Sequence, residues 1–178
     1  MTIALAKSRQ TGARLSLMAF GCDVVQAMSA LEQRIGQSEL ETPLVELIRL
    51  RVSQINGCAF CIDKHARDAR TAGIDDRKLA LLSVWLDTSL FTVRERAALA
   101  WAEALTRVAD GQVPDSAWDQ GKAIFNRSQL VDLTLLVTTM NAWNRLAIAS
   151  RRLPDQPAIA ARCSGSGLLH VEENHDVG

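Results

Sequence analysis

The chain has 178 residues, with 20 basic and 20 acidic side chains, a balance that argues against nucleic acid or a charged membrane surface as its partner. Nearly half of it, 48%, is apolar, while glycine and proline are sparse and tyrosine is absent, which suits a single helical domain burying about two-thirds of its unfolded surface. No apolar run approaches the roughly 20 residues needed to span a bilayer.

Residues 1–13 read as a loose arm. Lys7, Arg9 and Arg14 precede an apolar run that ends at Cys22, a faint likeness to an export or lipoprotein signal. The apolar part is too short, and Phe20 sits where such a signal needs a small residue. Leu15 to Ile35 is the first expected long helix, with Cys22 a small buried hydrophobe. Residues 37–41 form a linker.

A second helix is expected to open at Thr42, whose hydroxyl suits a cap, with Pro43 at the first helical position. Leu44, Ile48, Val52 and Ile55 recur at helical spacing with Leu47 beside them, while Arg49, Arg51 and Gln54 take mostly other faces. Asn56-Gly57 breaks this helix. A third opens near Cys58 and runs through Asp63, His65, Arg67 and Arg70 to Gly73, a residue free to adopt positive φ. Asp75 caps a short helix through Leu79, Leu82 and Trp85. Thr92 with Glu95 forms a capping box, and the stripe Ala97, Ala98, Trp101, Ala104, Leu105 and Val108 follows, ended by Asp110-Gly111. A weaker helix holds Trp118, Ile124 and Phe125. Ser128 is expected to cap the most apolar helix, which runs to Ser150 with Leu130, Leu133, Leu136, Val137, Met140 and Trp143 on more than one face. Trp101 and Trp143 read as core or interface. Asn141, Asn144 and Arg145 read as groups satisfying hydrogen bonds in an apolar setting.

One internal likeness recurs at nearly half the chain length. Leu50–Asn56 (LRVSQIN) and Leu135–Asn141 (LLVTTMN) share a leucine, a valine, a Ser/Thr, an Ile/Met and an asparagine in register at an offset of 85, which suggests a helical duplication. Beyond Arg152 the pattern stops, so residues 14–152 form the expected domain and 153–178 a tail. His170 and His175 are then solvated, and Cys163 is a spare exposed thiol.

The chemistry concentrates between Glu46 and His65. Cys58 and Cys61 share a helix face and their sulfurs can meet. Both lie where free amide groups and the helix dipole favour a thiolate. His65 is four residues after Cys61, a spacing that lets an imidazole take the thiol proton. Proximity to the helix start favours Cys58 as the nucleophile, and the histidine spacing favours Cys61; the residues alone leave both open. Four cysteines, two of them closely paired, do not make a secreted disulfide framework, so a cytoplasmic dithiol is expected.

The phrase LRVSQINGCAFCIDKHARDARTAG, with Glu46 twelve residues before Cys58, resembles the alkylhydroperoxidase AhpD-like branch of the carboxymuconolactone decarboxylase family. The likeness extends through RERAALAWAEALTRVADGQVP and LVDLTLLVTTMNAWNRLAIA, so it covers about residues 20 to 152. It implies an all-α bundle of antiparallel helices that assembles into a homo-oligomer, a trimer or hexamer. It also implies that Cys61 attacks a hydroperoxide, Cys58 resolves the product, and Glu46 with His65 relays protons. The reductant would be an external dithiol of dihydrolipoyl type, with neither metal nor flavin. Where the best-known members carry a second histidine, this chain has Phe60.

Other readings of the same residues compete. Cys58, Cys61, His65 and Glu46 could ligate a metal, although a second closely spaced ligand pair is missing. A lactone decarboxylase or related small-molecule enzyme would use the same scaffold, but the decarboxylases of the family are understood to lack the cysteine pair. Finally, both cysteines could simply pack in a core.

Overall fold

A computed structural model describes residues 14–17 and 21–154. The expected arm, nearly all of the expected tail, Cys163, His170 and His175 lie outside the described residues. The elements are α1 (Cys22–Gly36), α2 (Thr42–Asn56), α3 (Ala59–Thr71), α4 (Asp76–Ala80), a 3-10 segment (Leu82–Asp87), α5 (Val93–Thr106), α6 (Asp115–Ile124) and α7 (Arg127–Ala149). The architecture is all-α, with no strand among the described residues.

Helix α2 is the central element, packed against α3, α5 and α7. Leu47, Ile48 and Val52 are fully enclosed, in one core with Leu133, Leu136 and Val137 of α7 and Ala98 and Leu99 of α5. A helix surrounded on most sides must also bury polar groups, and each of these needs a partner. Arg51 donates from Nε to Glu103 Oε1 at 2.6 Å, and the Trp85 indole N–H reaches the same oxygen at 2.8 Å. Asn56 Nδ2 donates to Asn141 Oδ1 and Asn144 Oδ1, both at 2.9 Å, while Asn144, wholly buried, donates to Ser53 Oγ at 3.2 Å. This knot ties the end of α2 to α7. Asn56 and Asn141 are equivalent at the offset of 85, as are the first residues of α2 and α7, Thr42 and Arg127.

Several helix starts differ from the sequence expectation. Thr42 is the first helical residue rather than the cap; Glu41, in extended conformation, precedes it and makes no capping hydrogen bond through its side chain. Asn126 caps α7 in place of Ser128, reciprocally with Gln129, a capping box that places the boundary two residues earlier. Helix α1 begins at Cys22 after Gly21, later than Leu15. Helix α5 ends at Thr106, which leaves Val108 exposed, short of Asp110-Gly111. Cys22 is half-buried against Val25 and is not a free thiol. The caps at Thr92 and Asp75 form as expected, Thr92 with Glu95 and Asp75 through the Arg77 amide.

Candidate active site

Gly57 sets the geometry. It closes α2 at φ 68°, a left-handed conformation that is costly for a side chain with a Cβ. The chain reverses there, and the Cys58 amide donates back to the Ser53 carbonyl at 3.1 Å. Cys58 thereby becomes the N-cap of α3, and its sulfur accepts the Cys61 amide at 3.3 Å. That amide and the positive end of the helix dipole form a setting that stabilises a thiolate. Cys58 and Cys61 are joined as a disulfide with Cα atoms 5.3 Å apart, so the described state is the oxidised one.

His65 follows one turn after Cys61 and is buried. Its Nδ1 lies 2.8 Å from Oε2 of Glu46 on α2. An ionised carboxylate only accepts hydrogen bonds, so Nδ1 carries the proton and Nε2 of the neutral ring is the basic atom. The other Glu46 oxygen accepts from Arg49 Nη1 at 2.6 Å. Burial by itself pushes the Glu46 carboxyl up, but the hydrogen bond from His65 and the charge of Arg49 outweigh it and hold the group below the usual carboxylate range. Arg49 Nη2 also pairs with Oε2 of Glu32 on α1, and Oε1 of Glu32 accepts the Trp143 indole N–H from α7 at 3.1 Å. Four helices therefore meet through one polar chain: His65, Glu46, Arg49, Glu32, Trp143.

This chain borders a cavity of about 390 Å³. Cys61, His65, Phe60 and Lys64 line it from α3, Arg49 from α2, Ser29, Glu32 and Gln33 from α1, and Met140, Trp143 and Ala147 from α7. Cys58 is not among the lining residues; it sits beneath Cys61. Phe60 contributes an apolar wall, and the Arg152 guanidinium lies 4.5 Å over its ring, within cation–π range.

All four residues singled out in the sequence come together here. Three others escaped it. Spacing places Arg49 only on a polar face and gives Glu32 no distinction, and Trp143, expected in the core or an interface, is half-buried and lines the cavity. Their contacts with the site are tertiary, so spacing along the chain gives no sign of them.

The ligand set of the metal reading does not form in this state, because bridged sulfurs are not thiolate donors. Donor atoms of Glu46, His65 and Asp68 do lie within 4.8 Å of one another. Arg49 already neutralises Glu46, however, and Lys64 pairs with Asp68 at 2.5 Å, so the group is an ion-pair network.

Residues 23–104 match the carboxymuconolactone decarboxylase family. Bacillus subtilis (strain 168) YdfG is 35% identical over 136 residues, 76% of this chain and 92% of that protein. The chain belongs to the carboxymuconolactone decarboxylase family. Within that family it is AhpD-like. A crystal structure from Agrobacterium tumefaciens, of a protein of unknown function suggested to be the antioxidant defence protein AhpD, superposes with a TM-score of 0.77 at 35% identity, covering 82% of this chain and 99% of that one. An alkylhydroperoxidase AhpD core, a peroxidase-related protein from Ralstonia eutropha JMP134, shares the fold at 19% identity and a TM-score of 0.68, over 78% of this chain and 74% of that one. No helix among the described residues is long and apolar enough to cross a membrane.

Proposed function

We propose that this family member is a thiol-dependent peroxidase acting on organic hydroperoxides. One observation carries the reading: the Cys58–Cys61 bridge presents Cys61 to a cavity that it shares with His65, a histidine whose Nδ1 is held by Glu46 at 2.8 Å. The opening of Cys61 rather than Cys58 onto that cavity supports Cys61 as the nucleophile.

In the reduced enzyme His65 takes the Cys61 proton at Nε2, and the thiolate attacks the distal oxygen of ROOH. The O–O bond breaks, Cys61 becomes a sulfenic acid, and the leaving alkoxide receives the proton from His65 as ROH. Cys58 then attacks the Cys61 sulfur; an S–S bond forms, the S–O bond breaks, and water leaves. An external dithiol, of dihydrolipoyl type by family likeness, reopens the bridge by exchange and is itself oxidised to a disulfide. Every electron is carried by sulfur. Glu46 orients the imidazole and stabilises its charged form.

Intact mass before and after one equivalent of an organic hydroperoxide tests this. Reduced wild type should lose two hydrogens rapidly, Cys58→Ser should trap a sulfenic acid, and Cys61→Ser should not react. Fast oxidation of Cys61→Ser, or none in wild type, would refute the assignment. In the latter case, turnover of a lactone by wild type would favour the decarboxylase-like reading.

A further inference from the structure

We propose that Arg49 and Glu32 are positioning residues of the relay: Glu32 holds Arg49, and Arg49 keeps Glu46 ionised and turned towards His65. The inference rests on the peroxidase reading for its catalytic meaning. Its geometry stands apart from that reading. Among the described residues Arg49 is the one permanent cation paired with Glu46, and it uses both ends of its fork, Nη1 to Glu46 at 2.6 Å and Nη2 to Glu32. A planar guanidinium suits this double engagement, and an ammonium does not.

The requirement for Arg49 follows from burial. Glu46 is 6% exposed, and a carboxylate so enclosed drifts towards its neutral form unless cations or donors compensate. A protonated Glu46 would no longer stabilise the imidazolium formed when His65 takes the Cys61 proton. The hydrogen bond from His65 Nδ1 and the permanent charge of Arg49 together keep Glu46 ionised, and of the two only Arg49 is a fixed charge.

The charged and titratable groups around Glu46 come from three helices. Helix α2 supplies Arg49 and α1 supplies Glu32. Helix α3 supplies His65, with Asp68 at 3.7 Å from its Nδ1 and Lys64 beyond. From α7 comes the neutral Trp143, which fixes Glu32 through its indole N–H, while α5 turns Glu103 to Arg51 instead.

The test follows the Glu46 carboxyl directly by carbon-13 NMR of the full chain labelled at glutamate, assigned with Glu46→Gln. Arg49→Gln should raise the titration midpoint of Glu46 by about 1–2 pH units, the worth of one charged hydrogen bond. Arg49→Lys should restore part of that shift. Glu32→Gln keeps an acceptor for Nη2, whereas Glu32→Ala removes it and frees Arg49, so the midpoint should be higher in Glu32→Ala than in Glu32→Gln, two variants of equal charge. The alkylation rate of Cys61 in the reduced protein should lose its acid-side activity at correspondingly higher pH in Arg49→Gln. An unmoved midpoint in Arg49→Gln, or a midpoint in Glu32→Ala no higher than in Glu32→Gln, would overturn the proposal. Because the titration uses no peroxide, a normal shift beside a failed oxidation assay would count against the peroxidase reading alone.

Discussion

Replacing Glu46 by glutamine keeps the shape of the side chain and removes its charge, so the consequence can be worked through from the two contacts. The carboxylate accepts from His65 Nδ1 at 2.8 Å and from Arg49 Nη1 at 2.6 Å. Hydrogen bonds to a charged group contribute about 1.5–3 kcal/mol each. Glutamine retains an oxygen for one of them, and Arg49 keeps Glu32, so neither partner is left wholly bare. The expected loss at neutral pH is about 1–3 kcal/mol, or a fall in Tm of about 2–12 °C for a domain of this size. The pH dependence fixes the cause. The folded Glu46 titrates below its ordinary value, so its stabilisation is complete above the unfolded value near ~4.3 and is lost as pH falls through the folded value. Thermal melts followed by circular dichroism at pH 7, 5.5 and 3.5 should therefore show wild type and Glu46→Gln converging at the acid end. Peroxide-driven oxidation of the reduced thiols should fall roughly 100-fold or more, since misdirecting a catalytic histidine costs on that scale. A stability gap that stays constant from pH 7 to 3.5 would refute the electrostatic argument, and unchanged oxidation kinetics would remove Glu46 from the relay.

Two further perturbations probe the frame that holds the site. Asn144→Leu removes an acceptor for Asn56 and a donor to Ser53; because Asn141 and the Arg49 carbonyl remain as partners, the loss should be about 1–2 kcal/mol in denaturant unfolding, and an unchanged midpoint would mean the knot does not brace α2 against α7. Gly57→Ala meets no neighbouring atom, so its cost should be purely that of the left-handed backbone, about 1–2 kcal/mol, with Gly57→Asn milder; equal losses for alanine and asparagine would point to packing instead.

Local signals in the sequence singled out the candidate site because its residues are largely local. Glycine at 57 and the Cys58-to-Cys61 spacing lie within one turn-and-helix unit, and His65 follows on the same face. The caps at Thr92 and Asp75 were legible for the same reason: a hydroxyl or carboxylate and the amides it accepts are separated by two or three residues. The Asn126–Gln129 box was equally present in the sequence, but Ser128 offered a competing hydroxyl in the same stretch. At Thr42 a good capping side chain was overruled by where the extended Glu41 brings the chain into the helix.

What spacing could not reveal is the outer half of the polar chain. Glu32 and Trp143 are 111 residues apart and meet because α1 packs directly against α7. Read singly, each has a bland role: Glu32 opens the polar run Glu32-Gln33-Arg34, and Trp143 extends an apolar stripe. The burial of Glu46 changes that reading. A carboxylate enclosed in the central helix needs a cation or donors beside it, and the remaining N–H groups of a largely buried guanidinium need an acceptor of their own. Glu46 is thus met by Arg49 and the far end of Arg49 by Glu32, so the demand for charge and hydrogen-bond compensation carries the site outward from α2 to α1 and α7.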